Sequence, residues 1–316
     1  LVRIGVGSSS VKVGDFAGNG SKLRALVDEA RDRGVHLLVT PELGLSGYSL
    51  EDRIWWPDIA RYSWDALLDL ASYCRDITVF VGLPVRIESL MYNAMALIHN
   101  GRVRGLILKK NLPTYSIFYE GRNWTAWGRG TTMLDDIPAG DLIFDLPYAK
   151  VSAEICEDLW ASNSPAHARV RAGAEIICNG SASPFTPRKN EHRRRLILGA
   201  AARLACVYAY SNLLGCDSSR LVFDGGGFVA RPNGIVAEGP VLSKSYWTLT
   251  TGVVNMDDVS RARRENSTWR QEASLADDRH NDIRLVDCRD GVCPQDKVAP
   301  VAADLREYVE GLPRDF

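Results

Sequence analysis

Residues 35–42 read VHLLVTPE, residues 103–109 read VRGLILK, and residues 149–156 read AKVSAEIC. Each segment is a short apolar run rich in β-branched residues, a pattern typical of a buried strand. Each run also ends in one chemically reactive side chain, which is Glu42, Lys109 or Cys156. Strand ends that meet at a common edge are where α/β enzymes collect catalytic groups. The three segments therefore predict an α/β fold with a site built from their ends.

The rest of the chain continues this alternation of short apolar runs and longer helical patterns. The predicted strands cover residues 2–7, 35–40, 78–85, 94–98, 103–109, 149–156, 175–178, 207–211, 227–230 and 246–254. The predicted helices cover residues 20–33, 63–75, 165–172 and 190–205. Tight hairpins are indicated at His99-Asn100-Gly101 and at Pro232-Asn233-Gly234. This mixture predicts antiparallel sheet with helices packed on its faces, and not a purely parallel sheet.

Two segments stand apart from this pattern. Residues 111–140 form a long irregular stretch whose aromatic content argues against disorder, so we expect it to serve the function. After about residue 270 the sequence turns polar. We therefore predict one domain at residues 1–270, followed by a polar C-terminal tail or linker at residues 271–316.

Composition excludes several classes of protein. Of the 316 residues 46% are hydrophobic and 24% are charged, and the formal net charge is −1, so no basic field indicates a nucleic-acid partner. The apolar runs are too short to cross a bilayer, and the N-terminal LVRIGVGSSS lacks the apolar segment of a signal peptide. We therefore expect a cytoplasmic protein with no membrane partner. The seven cysteines show no zinc-site spacing, so we expect no metal.

An acid, a cation and a thiol form a chemically coherent set. A carboxylate can take the proton of a thiol, and an ammonium group can hold a developing oxyanion. Taken singly, Glu42 could equally be a solvated loop residue, Lys109 a surface lysine, and Cys156 a small buried hydrophobe.

Motifs around these residues resemble a known family. PELGLSGYSLEDR starts at Pro41, KKNLPTYSIFYEGR at Lys109 and EICEDLW at Glu154, and YNAMALIHNGRVRG, NGSASPF and FDGGGFVARPNG occur in the matching order. Together they resemble the nitrilase, or carbon–nitrogen hydrolase, superfamily, and more narrowly the glutaminase domain of glutamine-dependent NAD synthetases. The resemblance implies an α-β-β-α sandwich of four layers that associates through a helical face. It also implies at least a dimer, and no metal or organic cofactor.

The resemblance carries over residue by residue. It places the catalytic lysine at Lys109 and not at Lys110, because Leu112 and Tyr115 of LPTY fix the spacing. It makes Glu42, Lys109 and Cys156 a catalytic triad and Glu120 an additional glutamate that orients the site. The substrate contacts that it implies are Tyr115, Glu157, Ser183 and Lys189. For Glu157 and its neighbour Asp158, binding of a substrate ammonium and hydrogen bonding to local backbone both remain open.

The implied reaction is hydrolysis of a carboxamide, with glutamine as the leading substrate. Glu42 either removes the proton of Cys156 or lies beside a thiolate that Lys109 favours by lowering the pKa of the thiol. The sulfur attacks the carboxamide carbon, ammonia leaves, and water hydrolyses the thioester.

One feature departs from the synthetases, and one glycine run that matches them needs interpretation. The chain contains no SGGxDS loop, so we expect that it does not make NAD by itself and that a separate synthetase partner receives the ammonia. The glycine run from Asp224 to Gly227 lies between strands, and we interpret it as a hairpin and not as a phosphate cradle. Two alternatives stay open, namely a stand-alone amidase or nitrilase for another small amide, and a non-catalytic scaffold or regulatory homologue.

Overall fold

The computed structural model describes residues 1–217, 219–274 and 282–290. Within them the strands are β1 Val2–Ser9, β2 Leu37–Val39, β3 Thr78–Ile87, β4 Leu90–His99, β5 Arg102–Leu108, β6 Thr131–Leu134, β7 Ile137–Gly140, β8 Leu142–Leu146, β9 Ala149–Ile155, β10 Ile176–Ser181, β11 Val207–Asn212, β12 Leu214–Cys216, β13 Val222–Asp224, β14 Phe228–Arg231, β15 Gly234–Glu238, β16 Trp247–Val254 and β17 Arg284–Asp287. The helices are α1 Phe16–Asp32, α2 Pro57–Tyr73, α3 Glu120–Asn123, α4 Pro165–Arg171, α5 Lys189–Leu204, α6 Met256–Glu265 and α7 Ser267–Ser274, with 3-10 helices at Glu51–Trp55 and Cys156–Leu159.

The strands form two large mixed sheets. One sheet has the order β16-β1-β2-β3-β4-β5-β7-β6, and the other has the order β15-β14-β11-β10-β9-β8-β17. Both combine parallel pairs, such as β1 with β2, and antiparallel pairs, such as β3 with β4. A short ribbon of β12 and β13 stands beside them.

Three apolar layers hold the sheets and helices together. The central layer joins the two sheets, because Phe80 and Ile107 of the first sheet share a core with Ala153 and Ile176 of the second. A second layer packs α1 and α2 on the outer face of the first sheet. A third layer packs α4 and α5 on the outer face of the second sheet. The architecture is therefore the four-layered α-β-β-α sandwich that the family resemblance implies.

The local predictions from the sequence are largely confirmed. All ten predicted strands and all four predicted helices are present, with ends shifted by a few residues. Asn100 and Gly101 both adopt positive φ in the turn between β4 and β5, as a tight hairpin requires. Pro232-Asn233-Gly234 joins β14 to β15 as expected.

Two interpretations need correction or extension. Asp224 to Gly227 joins β13 to β14, which lie in different sheets, so the hairpin interpretation is wrong. The segment at residues 111–140 is not irregular throughout, since it contains α3, β6 and β7. These elements have only four residues each, and α3 and β7 also include glycine or proline, so they show no clear periodicity.

The domain limit at residue 270 stays a prediction. Helix α7 runs across it, and β17 pairs in parallel with β8 at the edge of the second sheet. Residues 282–290 of the predicted tail or linker therefore pack with the sandwich. Among the described residues, no helix is both long enough and apolar enough to cross a membrane.

Candidate active site

The candidate site is the polar end of the core between the two sheets. Side chains two residues apart on a strand lie on the same face. Ile107 of β5 and Met95 of β4 lie in the inter-sheet core, so Lys109 and Asn93 extend these two apolar rows with polar groups. Cys156 belongs to the same core at the end of β9. Strand alternation thus brings a cation, an amide and a thiol to one end of the sandwich.

Glu42 enters this space from the turn after β2, where the next residue, Leu43, has a φ of 50°. Its carboxylate is fully buried and accepts three hydrogen bonds. Lys109 Nζ lies 2.6 Å and Asn93 Nδ2 lies 2.7 Å from Oε1, while the backbone N–H of Ala182 lies 2.8 Å from Oε2. These donors compensate the burial of the charge and fix the orientation of the carboxylate.

A second carboxylate contacts the same ammonium group. Lys109 Nζ donates to Glu120 Oε1 at 2.7 Å, and Tyr48 donates its hydroxyl hydrogen to that oxygen, also at 2.7 Å. Burial alone would lower the pKa of Lys109, but the charges of Glu120 and Glu42 raise it well above its ordinary value, so Lys109 stays an ammonium. Burial raises the pKa of Glu120 to about 7, against the opposing effect of Lys109 and with a further contribution from Glu42.

Cys156 stands at a strained position in the backbone. Its φ is 46°, in the left-handed region, where a residue with a side chain has a higher conformational energy. Strained backbone of this kind is concentrated at functional sites. Its backbone N–H donates to Asn179 Oδ1 at 3.2 Å. The thiol is buried and lies within electrostatic range of Glu42, Lys109 and Glu120.

The charges decide the protonation state of the thiol. Burial raises the pKa of Cys156 far above its ordinary value, Glu42 and Glu120 raise it further, and Lys109 acts in the opposite direction but is outweighed. The resting side chain is therefore a neutral thiol. Of the two alternatives that the sequence leaves open, this arrangement favours removal of the thiol proton by Glu42 over a thiolate preformed beside Lys109, since burial and the second acid act against the thiolate.

The two sheets approach each other closely beside the site because β10 carries a glycine. A Cβ on Gly180 would lie 2.7 Å from the carbonyl oxygen of Thr40 and 2.8 Å from Met95 Sδ. Since Thr40 stands two residues before Glu42, the absence of a side chain at Gly180 lets the loop of the acid pack against β10.

Of the predicted substrate contacts, Tyr115 is exposed and Glu157 is half-buried. Tyr115 donates its hydroxyl hydrogen to both carboxylate oxygens of Glu157, at 2.9 and 3.1 Å. Asp158 is buried and accepts from the backbone of Ile155 and from both nitrogens of Asn111. Of the two acids, Asp158 bonds locally, and Glu157 is the one that remains near solvent.

Ser183 and Lys189 differ in their surroundings. Ser183 is buried, and its hydroxyl accepts from Arg193 Nε at 3.2 Å, while Arg193 also holds Asp224 through two bonds of 2.8 Å. Lys189 begins α5, and its ammonium lies about 6 Å from the rings of Phe118 and Trp160.

Lys189 also lies within electrostatic range of the thiol. Burial and Arg193 lower its pKa, whereas the ionised form of Cys156 and the acids Asp224 and Glu157 act in the opposite direction. A substrate anion bound beside Cys156 would therefore meet a cation at Lys189.

A cavity of about 750 Å³ adjoins the cluster at Tyr48 and Glu120. Its lining includes Tyr48 and Glu120, together with the exposed or half-exposed side chains of Glu51, Asp52 and Arg122. Tyr115, Cys156 and Lys189 are not among its lining residues. Tyr48 and Glu120 are therefore the members of the cluster that border this cavity.

The structure brings Glu42, Lys109, Glu120 and Cys156 together, as the sequence predicts, and adds two residues that the sequence analysis missed. Asn93 and Tyr48 both occur in the motifs quoted above, YNAMALIHN and PELGLSGYS. The available signal for Asn93 was a single amide in an otherwise apolar strand. Tyr48 gave no such signal, because a lone tyrosine in a loop is ordinary.

The chain is similar to known proteins along most of its length. The family model described as carbon-nitrogen hydrolase matches residues 3–264. The glutamine-dependent NAD(+) synthetase of Mycobacterium tuberculosis (strain H37Rv) is 35% identical over 249 residues, which cover 75% of this chain and 37% of that protein. The corresponding protein of Aquifex aeolicus is 32% identical over 293 residues, which cover 92% of this chain and 48% of that one.

A solved structure is similar to this chain in both fold and sequence. The crystal structure of a glutamine-dependent NAD(+) synthetase from Cytophaga hutchinsonii superposes with a TM-score of 0.75 at 32% identity, covering 79% of this chain and 42% of that one. The chain thus spans less than half the length of each of these relatives.

Proposed function

The chain belongs to the carbon–nitrogen hydrolase family, and we propose that it hydrolyses a carboxamide, with L-glutamine as the favoured substrate, through a thioester on Cys156. The observation that carries this proposal is the position of Lys109. Its ammonium lies 2.6 Å from Glu42 and 2.7 Å from Glu120, in the charge cluster that surrounds the thiol. An acid that can act as a base, a fixed cation and a thiol are the groups that acyl transfer from an amide requires.

The first step forms the acyl enzyme. Because the resting thiol is neutral, Glu42 takes its proton as the sulfur attacks the carboxamide carbon. The carbonyl π electrons move to oxygen, and the resulting oxyanion is stabilised by Lys109 and by the backbone N–H of Glu157 in the 3-10 helix that begins at Cys156.

The following steps release the products. Glu42 returns its proton to the amide nitrogen, the carbon–nitrogen bond breaks, and ammonia leaves a thioester on Cys156. Glu42 then takes a proton from water, whose oxygen attacks the thioester carbon. The carbon–sulfur bond breaks, the acid is released, and the sulfur recovers its proton.

Glutamine fits the charges of the predicted substrate contacts. Its α-ammonium requires an acid, and Glu157 with the Tyr115 hydroxyl supplies one. Its α-carboxylate requires donors, which Lys189 and Ser183 supply in this proposal. The printed names of the relatives, glutamine-dependent NAD(+) synthetases, support the same substrate. The homo-oligomer and the synthetase partner that receives ammonia stay predictions.

Mass spectrometry of the intact protein tests the proposal. The protein is mixed with glutamine or with a simple amide such as propionamide, quenched in acid within the first turnovers and weighed, while ammonia is assayed in parallel. We expect an acyl adduct on Cys156 and ammonia release, both strongest with glutamine. Equal rates with propionamide would favour the stand-alone amidase. No adduct and no ammonia over a panel of amides would favour the non-catalytic homologue.

A further inference from the structure

Each acid that binds Lys109 is also held by a second side chain. Glu42 Oε1 receives both Lys109 Nζ and Asn93 Nδ2, at 2.6 and 2.7 Å. Glu120 Oε1 receives both Lys109 Nζ and the Tyr48 hydroxyl, each at 2.7 Å. The two contacts are equivalent in form, although Asn93 comes from β4 and Tyr48 from the loop after β2.

The number of N–H donors on Lys109 explains how these contacts could affect the reaction. An ammonium group has three N–H donors, and among the described residues Lys109 directs two of them to Glu42 and Glu120. The third is the one left to meet a substrate oxyanion. Its direction depends on where the two acids stand, because two bonds fix the rotation of the ammonium group.

Asn93 is a specific choice for this contact. An ionised carboxylate only accepts hydrogen bonds, so the amide nitrogen must face Glu42. Its Oδ1 is buried, and among the described residues it has no hydrogen-bond partner. A buried acceptor without a partner is costly, and an apolar residue would fit the neighbouring core, so the donor contact explains why a polar group stands here.

Tyr48 is suited to the same task. Burial and the charges of Glu120 and Glu42 raise its pKa well above its ordinary value, so its hydroxyl keeps its hydrogen and donates. Its ring packs edge-on against Phe223 with centroids 6.1 Å apart, which holds the hydroxyl in place.

We propose that Asn93 and Tyr48 are positioning residues, which hold Glu42 and Glu120 on either side of Lys109 so that the third Lys109 N–H points at the reacting carbonyl. This inference rests on the proposed function. It assigns the paired donors a role in the geometry of the reaction, and neither residue contacts the reacting atoms.

Two conservative variants and one control test the proposal. Tyr48→Phe removes a single hydroxyl and keeps the ring on Phe223, and Asn93→Leu replaces the amide by an apolar group of similar size. The control is Leu97→Ala, on the same strand and the same face as Asn93 but deeper in the inter-sheet core. For each protein we would measure kcat and KM on glutamine, and the rate at which iodoacetamide alkylates Cys156, followed on its peptide by mass spectrometry.

We expect kcat to fall about tenfold to a hundredfold in Tyr48→Phe and in Asn93→Leu, with KM within about threefold of wild type, because a small misplacement of catalytic groups costs that much. Alkylation of Cys156 should slow in both. In Asn93→Leu, Glu42 loses a donor that holds it in place to take the thiol proton, and in Tyr48→Phe a displaced Glu120 moves Lys109 and with it Glu42. Leu97→Ala should lose stability but keep both rates.

Three outcomes would decide whether Asn93 and Tyr48 are positioning residues. Wild-type rates in both positioning variants, or an equal loss in Leu97→Ala, would overturn the proposal. If wild type hydrolyses no amide, but alkylation of Cys156 still slows in both variants and not in the control, the hydrolase function fails and the positioning role stands.

Discussion

Lys109 and Lys110 are neighbours in the chain, yet their ammonium groups bind different carboxylates in different environments. Lys109 Nζ is fully buried and bonds to Glu42, whereas Lys110 Nζ is partly exposed and lies 2.8 Å from Asp141. The separation follows from the strand, since consecutive side chains point to opposite faces. One lysine is therefore available to the inter-sheet site and the other is not.

This relationship predicts unequal effects of two similar substitutions. Lys109→Ala should lower kcat at least about a hundredfold, because it removes an oxyanion donor. It should also cost about 3–5 kcal/mol of stability, because two buried acids lose their cation. Lys110→Ala should stay within a few-fold of wild type. Ammonia release and urea unfolding would measure both effects, and the reverse order would show that Lys110 carries the chemistry.

The nucleophile predicts a second contrast. Cys156→Ala should abolish ammonia release while the protein remains folded, because one sulfur is lost from a polar site. Cys216 is exposed, so Cys216→Ala should leave activity unchanged. Circular dichroism would verify folding of both variants. Ammonia release that survives in Cys156→Ala would disprove the thioester mechanism.

The position of Lys189 predicts a change in substrate preference. Lys189→Ala should raise KM for glutamine strongly, since an α-carboxylate would lose its cation in a partly closed site. Propionamide has no carboxylate, so its kcat/KM should hardly change. Steady-state kinetics on both substrates would measure this. Equal losses on the two would show that Lys189 is structural.

The close approach at Gly180 predicts a defect from a single methyl group. Gly180→Ala places a Cβ against the Thr40 carbonyl, which cannot move without the loop that carries Glu42, so we expect a loss of roughly 1–3 kcal/mol and a lower kcat. Gly199→Ala is the matched control, because nothing lies within 4 Å of its added Cβ and alanine favours a helix. Thermal unfolding and ammonia release would compare the two. Similar behaviour of both variants would mean that the sheets can separate at Gly180 without cost.

The raised pKa of Glu120 predicts how stability depends on pH. Its pKa is about 7 in the folded protein, where Lys109, Glu42 and Tyr48 surround it, and 4.5 when unperturbed. Between pH 4.5 and 7 the Glu120 carboxyl is protonated in the folded state but ionised in the unfolded state. The contribution of Glu120 to folding stability is therefore fully present below pH 4.5 and is lost as the pH rises through 7.

The glutamine in Glu120→Gln cannot titrate. The variant should therefore not show the decrease in folding stability with rising pH, which amounts to roughly 1–3 kcal/mol. Urea midpoints of wild type and variant at pH 5 and pH 8 would isolate the effect, because all other groups are shared. An equal change in both proteins would place the titration of Glu120 outside this range.

Much of the fold and part of the site are local properties of the sequence. Apolar β-branched runs predicted three strands that end shortly before Glu42, Lys109 and Cys156, because strand formation depends on a period that neighbouring residues already display. Asn100-Gly101 predicted its hairpin for the same reason, since positive φ at both positions is a local preference. The resemblance that the ordered motifs carry then implied the layered sandwich.

The contacts that set the chemistry were decided only by the tertiary structure. Glu42 and Lys109 are 67 residues apart, and Glu42 and Asn93 are 51 apart, yet each pair shares a hydrogen bond. Periodicity shows which residues share a face of a strand, but not which distant loop supplies their partner. The protonation state of Cys156 depends on burial and on every charge around it, and these exist only once the two sheets have packed together.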